Sequence, residues 1–497
     1  MSDWSIVTLK EAGISLIDCD HKTPKEQKDG LPYVGIPQLK AGRIVLNGAR
    51  LISEEDFHHW RRKSKPIPDD VILSRRCNPG EMAYVPKNLD IALGQNLVLL
   101  RFNGDKVFPP FLRWITQGSN WWHQVNKYIN VGAIFDSLKC VDIPKFEFRL
   151  PPIKDQKFIA KILGELDKKI ELNHQTNQTL EQIAQAIFKS WFVDFEPTRA
   201  KIAAKKRWQA LNETIECSSP ACYAEEFDNH NSLSLGERAG VREKDFIQQA
   251  AMAAISGKSI DELQQLSSEQ LQQLKTTADL FPDALVDSEL GEVPEGWEVK
   301  DLNEVTSIII DHRGKTPRKL GGDWVEKGYL AISAKNIKGG RITRSDTIRY
   351  IDDELYSKWM KVELNKGDIL LTSEAPMGEM YYIADDTKYC LSQRLYALRA
   401  DNKNVTPTFL YLWLQSRIAK TDMESRATGT TVVGIRQVEL RKVISLVPSI
   451  ELLKIFEELS FSAYVKINVS ELETKELVSL RDTLLPNLLN GFFAGAI

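Results

Sequence analysis

The chain has 497 residues, 42% hydrophobic and 27% charged, with a formal net charge of -3. That size and apolar share support several cores rather than one, no apolar run approaches the roughly 20 residues that span a bilayer, and the total charge excludes a uniformly cationic surface while leaving room for local basic faces. The polar start Met1-Ser2-Asp3-Trp4 is unlike a signal peptide, and the scattered Cys19, Cys77, Cys140, Cys217, Cys222 and Cys390 form no C-x-x-C pair, so a cytoplasmic protein with reduced thiols is expected.

Residues 1–150 mix short apolar runs with turn signals. Val71-Ile72-Leu73 and Leu97-Val98-Leu99-Leu100 predict strands, Gly30, Gly42, Gly48 and Asn103-Gly104 turns, and Phe111-Leu112-Arg113-Trp114-Ile115, after Pro109-Pro110, a short helix. This is the pattern of an α/β domain with irregular loops. Across 151–198 the period changes. Ile159, Leu163, Leu166, Ile170, Asn173, Asn177, Leu180, Ala184, Ile187 and Trp191 recur in alternating steps of four and three, the seam of a long helix. Asp155 is the expected N-cap and Pro197 the stop. At about 1.5 Å per residue, the helix 155–192 reaches roughly 55 Å, more than a compact domain needs.

Residues 199–289 are rich in Gln, Ala, Glu, Lys and Ser and read as a connector, partly helical and partly disordered. Helix formers fill 261–274, 217–241 lacks a core pattern, and a mobile loop is expected at 231–236. A second strand-rich segment follows over 290–447, then a second long helix and tail over 448–497.

The second half repeats the first. Asp20-His21 with Lys22-Thr23-Pro24 recurs as Asp311-His312 with Lys315-Thr316-Pro317, and Lys40-Ala41-Gly42-Arg43-Ile44 as Lys338-Gly339-Gly340-Arg341-Ile342. Gly80 matches Gly378, Gln95 matches Gln393 and Phe111 matches Phe409, each 298 residues on, and Gly132 matches Gly429 at 297. The same step of 297 carries the first seam onto Phe456, Ser460, Ala463, Ile467, Ser470, Thr474, Leu477, Arg481, Leu484 and Leu488. So long a period is not that of a short-repeat solenoid. It predicts two duplicated α/β heads separated by an antiparallel two-helix coiled coil with pseudo-twofold symmetry, the helices acting as a spacer. Asn173 and Asn177 suit such a seam, where a buried Asn fixes register. Two related readers held apart suit a long, two-fold-related ligand, and duplex DNA is the obvious one.

Candidate DNA contacts are polar residues in expected loops. The first head offers Arg75, Arg76, Asn78, Gln95, Asn96, Lys127 and Asn130; the second offers Arg313, Lys315, Lys335, Asn336, Ser373, Gln393, Arg394, Arg426, Thr430 and Thr431. Arg and Lys bind guanine edges or phosphates, whereas Asn and Gln pair with adenine edges. At Gln95-Asn96 against Gln393-Arg394 the apolar frame matches while one polar neighbour changes, as two different specificities would require.

Catalytic patterns are missing from the sequence. Neither G-x-x-x-x-G-K-[ST] nor a G-x-G-x-x-G after a strand occurs, Phe108 stands where an amino-methyltransferase would carry Asn or Asp before Pro-Pro-Phe, and Pro68-Asp69-Asp70 lacks the further acid and Lys of a metal nuclease. No metal site is expected.

Several stretches together resemble one family. They are the Trp near each head's start (Trp4 and Gly296-Trp297), the entries Leu150-Pro151-Pro152 and Val447-Pro448-Ser449, the run Ile187-Phe188-Lys189-Ser190-Trp191-Phe192-Val193-Asp194-Phe195, the lead-in Ser288-Glu289-Leu290-Gly291-Glu292-Val293-Pro294, and Leu484-Leu485-Pro486-Asn487-Leu488-Leu489-Asn490-Gly491. Over nearly its whole length the chain resembles the specificity subunits of type I restriction-modification systems. The resemblance implies that each head is a target-recognition domain for half of a bipartite site in double-stranded DNA. It implies further that the helices set the gap, that two methyltransferase subunits dock, and that motor-nuclease subunits join them. S-adenosylmethionine, ATP and magnesium would then act on those partners, leaving this chain a non-catalytic subunit with no cofactor of its own. It does not transfer base-reading residues, because heads of this kind vary to change specificity. A coiled-coil scaffold with protein-binding heads and a self-sufficient DNA-modifying enzyme are the alternatives.

Overall fold

The structure is a computed structural model that describes residues 4–20, 22–132, 134–216 and 242–492. The expectations for 217–241, including the loop at 231–236 and the thiols of Cys217 and Cys222, lie outside the described residues, as do His21 and the first three residues of the start. Among the described residues no helix is long and apolar enough to cross a membrane, and no group of three or more His, Cys, Asp or Glu could hold a metal ion. The chain divides into two compact units, Met1–His174 with Glu471–Ile497, and Gln175–Ser470.

The head of the first unit is built on a four-stranded antiparallel sheet in the order Ile14–Asp18, Leu97–Phe102, Val71–Ser74, Met82–Tyr84. Its inner strands are apolar without alternation because both faces are covered. Leu73, Val98 and Leu100 pack with Phe111 and Trp114 on one side, while Ile72, Leu97 and Leu99 pack with Cys19 and Leu93 on the other. A smaller sheet joins Arg50–Ile52, Leu31–Val34 and Ala92–Leu93, the last pair parallel. Ser5–Thr8 pairs with Glu147–Leu150 and so closes the head where the first long helix begins.

The head of the second unit repeats this plan. Thr306–Asp311, Leu395–Ala400, Ile369–Thr372 and Met380–Tyr382 form the antiparallel sheet, Arg349–Ile351, Tyr329–Ile332 and Tyr389–Leu391 the smaller one, and Glu298–Asp301 pairs with Ile444–Val447. One buried ion pair occurs in both copies: Asp70 accepts from Arg101 at 2.9 and 2.6 Å, and Asp368 from Arg399 at 2.8 and 2.7 Å. The acid of Pro68-Asp69-Asp70 is thereby committed to holding its sheet.

The long helices span Ile153–Phe192 and Ile450–Leu489. Asp155 falls inside the first turn instead of capping it, since the helix starts directly after Pro152, whose carbonyl accepts from Gln156 N at 3.0 Å. In the first unit, Ile159 and Leu163 share a core with Leu485 and Leu488 of the second helix, Ile170 is buried, and Asn173 Nδ2 donates to Glu473 (2.8 Å) and Thr474 (3.2 Å). In the second unit, Asn177 Nδ2 reaches the Ile467 carbonyl at 3.5 Å, while Ala184, Phe188 and Trp191 share a core with Phe456 and Ile467. Within each unit, numbers rise on one helix as they fall on the other, so the paired portions are antiparallel.

The buried face departs from the expected seam. Leu166, Leu180, Ile187, Leu477 and Leu484 are only half-buried, whereas Asp167, Phe188, Tyr464 and Leu485 are buried. A helix that also packs on a head must bury a wider stripe than a two-stranded seam.

The connector carries more helix than its composition suggests: Glu196–Glu216, Glu243–Ser256, Ile260–Leu263 and Ser268–Asp279. The single helix expected over 261–274 is two, because Ser259 with Glu262 and Ser267 with Gln270 form capping boxes that start each piece. The connector packs into the second unit, where Phe281 meets Trp191 edge to face at 5.4 Å and Lys205 pairs with Asp283 at 2.8 Å.

Candidate nucleic-acid interface

Three segments of the first head converge at one edge of its main sheet. After Ser74 the chain turns through Arg75–Gly80, and Arg75 N donates to the Asn96 carbonyl at 2.8 Å. The Arg75 carbonyl in turn accepts from Leu138 N at 2.8 Å, and Asn130 and Ser137 exchange both backbone hydrogen bonds at 2.8 and 3.0 Å, closing the loop 130–137. Cys77 and Asn96 sit at φ 65° and 66°, left-handed backbone that a side chain adopts only where neighbours hold it.

This framework gathers Arg75, Arg76, Asn78, Gln95, Asn96 and Asn130. Arg76 and Asn78 are exposed, Gln95, Asn96 and Asn130 half-buried. Arg75 lies 3.7 Å from the Asp18 carboxylate, and the Arg76 guanidinium lies 5.3 Å over the Phe135 ring. Lys127 stands apart, on the helix Ser119–Tyr128, 3.6 Å from Glu147. Cys77 carries an exposed free thiol, whereas burial raises the Cys19 thiol to about 11.

The second head builds the same edge. Ser373 N donates to the Arg394 carbonyl and Ile435 N to the Ser373 carbonyl, both at 2.9 Å, while Thr428 and Gly434 exchange bonds at 2.9 and 3.0 Å. Ala375 and Arg394, the matches of Cys77 and Asn96, also sit at positive φ, 52° and 62°. Arg394 and Gln393 are exposed, the former paired with Glu374 at 3.0 Å, and Thr430 and Thr431 project from the loop tip. Lys335, Arg349, Gln393 and Arg394 line a cavity of about 280 Å³ beside Trp324, over which Arg349 lies at 5.2 Å.

Other candidates are committed within the head. Asn336 is fully buried, accepting from Ser333 at 2.7 Å and donating to Thr347 at 3.0 Å, so it shapes the turn instead of meeting a duplex. Ser373 is buried as well. Arg426 is half-buried against Asp422 at 2.8 Å, and Lys315 donates to the Trp359 carbonyl at 3.1 Å, with desolvation pushing its pKa down. Arg313 is gripped by Asp311 at 2.8 and 2.9 Å and lies 4.4 Å over Tyr396. Beside it, burial pushes the His312 imidazole down to about 4. Sequence reasoning missed Trp324, Arg349 and the apolar loop tips, although the Gly132 and Gly429 match already marked those loops as equivalent.

One edge built twice on matched backbone, with different side chains, defines a class: an internally duplicated protein of two related heads. Comparison with known proteins specifies it. The type I restriction modification DNA specificity domain matches residues 1–182 and 294–460, and the chain belongs to that family. It is 29% identical to the type I restriction enzyme HindI specificity subunit of Haemophilus influenzae, covering 99% of this chain and 100% of that one. It is 22% identical to the MjaIX specificity subunit of Methanocaldococcus jannaschii, covering 98% and 93%. The fold is that of a type I restriction-modification S subunit from M. genitalium, with a TM-score of 0.51 at 14% identity, covering 98% and 96%. The protein is thus a specificity subunit, a non-catalytic component that confers DNA sequence specificity on a restriction-modification complex.

Proposed function

We propose that each head reads one half of a bipartite duplex site and that the paired helices fix the unread gap. One observation carries this: the three-segment edge recurs on matched backbone while its outward residues change, Arg76 to Glu374, Asn78 to Pro376 and Asn96 to Arg394. In the first head Arg76, Asn78, Gln95 and Asn96 are the base-reading set, and in the second Lys335, Gln393, Arg394, Thr430 and Thr431. Arg and Lys are suited to guanine edges and phosphates, Asn and Gln to adenine. The functional parts are 1–150 and 290–447 as target-recognition domains, 151–198 and 448–497 as spacers, and 199–289 as a connector that stiffens the second unit.

The outer faces of the long helices dock two methyltransferase subunits, and motor-nuclease subunits join that core in the cytoplasm. Support comes from exposed Leu172, Leu472 and Leu480 on the helices of the first unit and Ile183, Leu459 and Val469 on those of the second, apolar side chains that a docked subunit would cover. Sequencing the methylated sites of a host carrying the complete system tests the reading. A split motif with a constant gap is expected; methylation at continuous or random sequences overturns it.

A further inference from the structure

Both reading edges end in an apolar tip. On the loop closed by Asn130 and Ser137, Val131 and Ile134 are 84% and 89% exposed and Phe135 is 42% exposed. Aliphatic side chains left this open beside a recognition edge mark a surface that a partner covers. Three observations identify that partner as stacked bases. The loop's stem is hydrogen-bonded to Arg75, which is bonded to Asn96, so the tip is fixed to the amide and cationic residues of the edge. The Arg76 guanidinium over Phe135 sets a cation against the apolar tip, as a wedge needs if phosphate is to be met where a base step opens.

The duplicate supplies the third. A Cβ on Gly132 would meet the Phe135 carbonyl at 2.3 Å, and one on Gly429 would meet the Val432 carbonyl at 2.0 Å, so both loops fold back through the same glycine contact. The second tip again shows apolar side chains, Val432 at 47% and Val433 at 51% exposure. Loop closure is kept and both tips expose apolar side chains, although only Phe135 against Val432 is apolar at matched positions, Val131 and Ile134 standing opposite Thr428 and Thr431. A base-edge reader would vary with its target; a group that separates stacked bases has no letter to match.

We propose that Val131, Ile134 and Phe135 in the first head, and Val432 and Val433 in the second, are wedges that enter a base step of each half-site and unstack it. This rests on the reading of each head as a DNA reader. The test uses the complex of the full chain with its methyltransferase subunits on a duplex carrying the site found by methylation sequencing. 2-Aminopurine is placed at each position in turn. A severalfold rise in fluorescence is expected at one step per half-site other than the methylated base. Val131→Ser with Ile134→Ser should abolish it in one half-site and leave the other unchanged, Val432→Ser with Val433→Ser should do the reverse, and Ile134→Leu should retain it. A site that is bound and methylated without any such rise, or a rise unaffected by the serine variants, overturns the wedge and leaves the DNA reading standing. A signal that either serine pair removes from both half-sites also overturns it. Failure to find a split site overturns both.

Discussion

Removing the Asp167 carboxylate should loosen the first unit, and the surrounding contacts bound the loss. Asp167 lies on the first long helix with 7% of its side chain exposed, touching Arg113 of the head, 2.9 Å from Arg481 of the second helix and 3.6 Å from Arg43. One carboxylate thus ties both helices to the head. Uncoupling a buried ion pair by deleting one partner costs about 3–5 kcal/mol, mostly from the charge left behind. In Asp167→Leu, Arg43 keeps Glu171 at 2.6 Å and Arg481 keeps Asp482 at 2.7 Å, so Arg113 alone is stranded. Burial lowers its pKa only to about 10, which leaves it charged at neutral pH. Its guanidinium stays 3.8 Å over Tyr84 and 4.1 Å over Trp114, worth about 1–2 kcal/mol. The expected net loss is about 2–3 kcal/mol.

The second unit shows what a neutral junction looks like. At the positions matching Asp167, Arg113, Tyr84 and Arg481 stand Tyr464, Tyr411, Tyr382 and Ala184, and the three tyrosine rings pack with centroids 5.2 to 5.5 Å apart. Replacing a buried pair by apolar groups of similar volume is often neutral, so Asp167→Leu with Arg113→Met should recover most of the loss. Hydrogen exchange of the strand Leu97–Phe102 in the full chain reads the stability of the first unit, with Ile369–Thr372 as internal control. A single variant within about 0.5 kcal/mol of the parent, or a double variant no better than the single, would refute the coupling.

Gly429→Ala forces a side chain onto φ 121° and into the Val432 carbonyl, at a local cost of about 1–3 kcal/mol; degenerate methylated sites should appear in one half of the motif only, as sequencing would reveal. Because the folded-state pKa of His312 lies near 4, below its unfolded value of about 6.5, the unfolded chain takes the proton first. Stability of the second unit is therefore complete above pH 6.5 and falls toward pH 4 by roughly 1–2 kcal/mol after solvent screening, and His312→Gln should flatten that slope in hydrogen exchange. The exposed Cys77 thiol should react readily with maleimide and be protected by a duplex carrying the site, with peptide mass spectrometry reporting the ratio; equal modification with and without DNA would place the Arg75–Gly80 turn outside the interface. A heptad inserted at matching points of both long helices adds about 10 Å, so the gap in the methylated motif should grow by about 3 base pairs at 3.4 Å each, and an unchanged gap would contradict the spacer.

What could be read from the sequence was set by locality. The strands Val71–Ser74 and Leu97–Phe102 and the helix Pro109–Ile115 follow from neighbouring residues, and the long helices from a period that runs for 40 residues. The duplication was legible because it is a comparison of the chain with itself. The sheet order was not, since Ile14–Asp18 finds Leu97–Phe102 across a long separation. Lys335 and Asn336 look alike as loop polars, yet one is exposed and the other fully buried, a difference decided by Ser333 and Thr347 folding around a single side chain. Asp167 was hidden for a related reason: an acid one step off an apolar seam reads as solvated until three arginines from distant segments arrive. The apolar tips were passed over because exposed valines in a loop carry no local sign of a partner.

The two copies have diverged in two ways, and the difference follows from burial. At the helix junction the set changed as a block, Asp167, Arg113 and Arg481 against Tyr464, Tyr411 and Ala184, since any one ionic member left among aromatic ones would be a buried charge without its counterion. At the sheet edge Gln95 stays as Gln393, while Arg76 to Glu374 and Asn96 to Arg394 form a new pair at 3.0 Å that is partly exposed, so that water can satisfy either member left alone. What both copies keep there is backbone: the closed loop and the left-handed residues beside it. Substitution at this edge leaves untouched the buried junction by which each head stands on its helices.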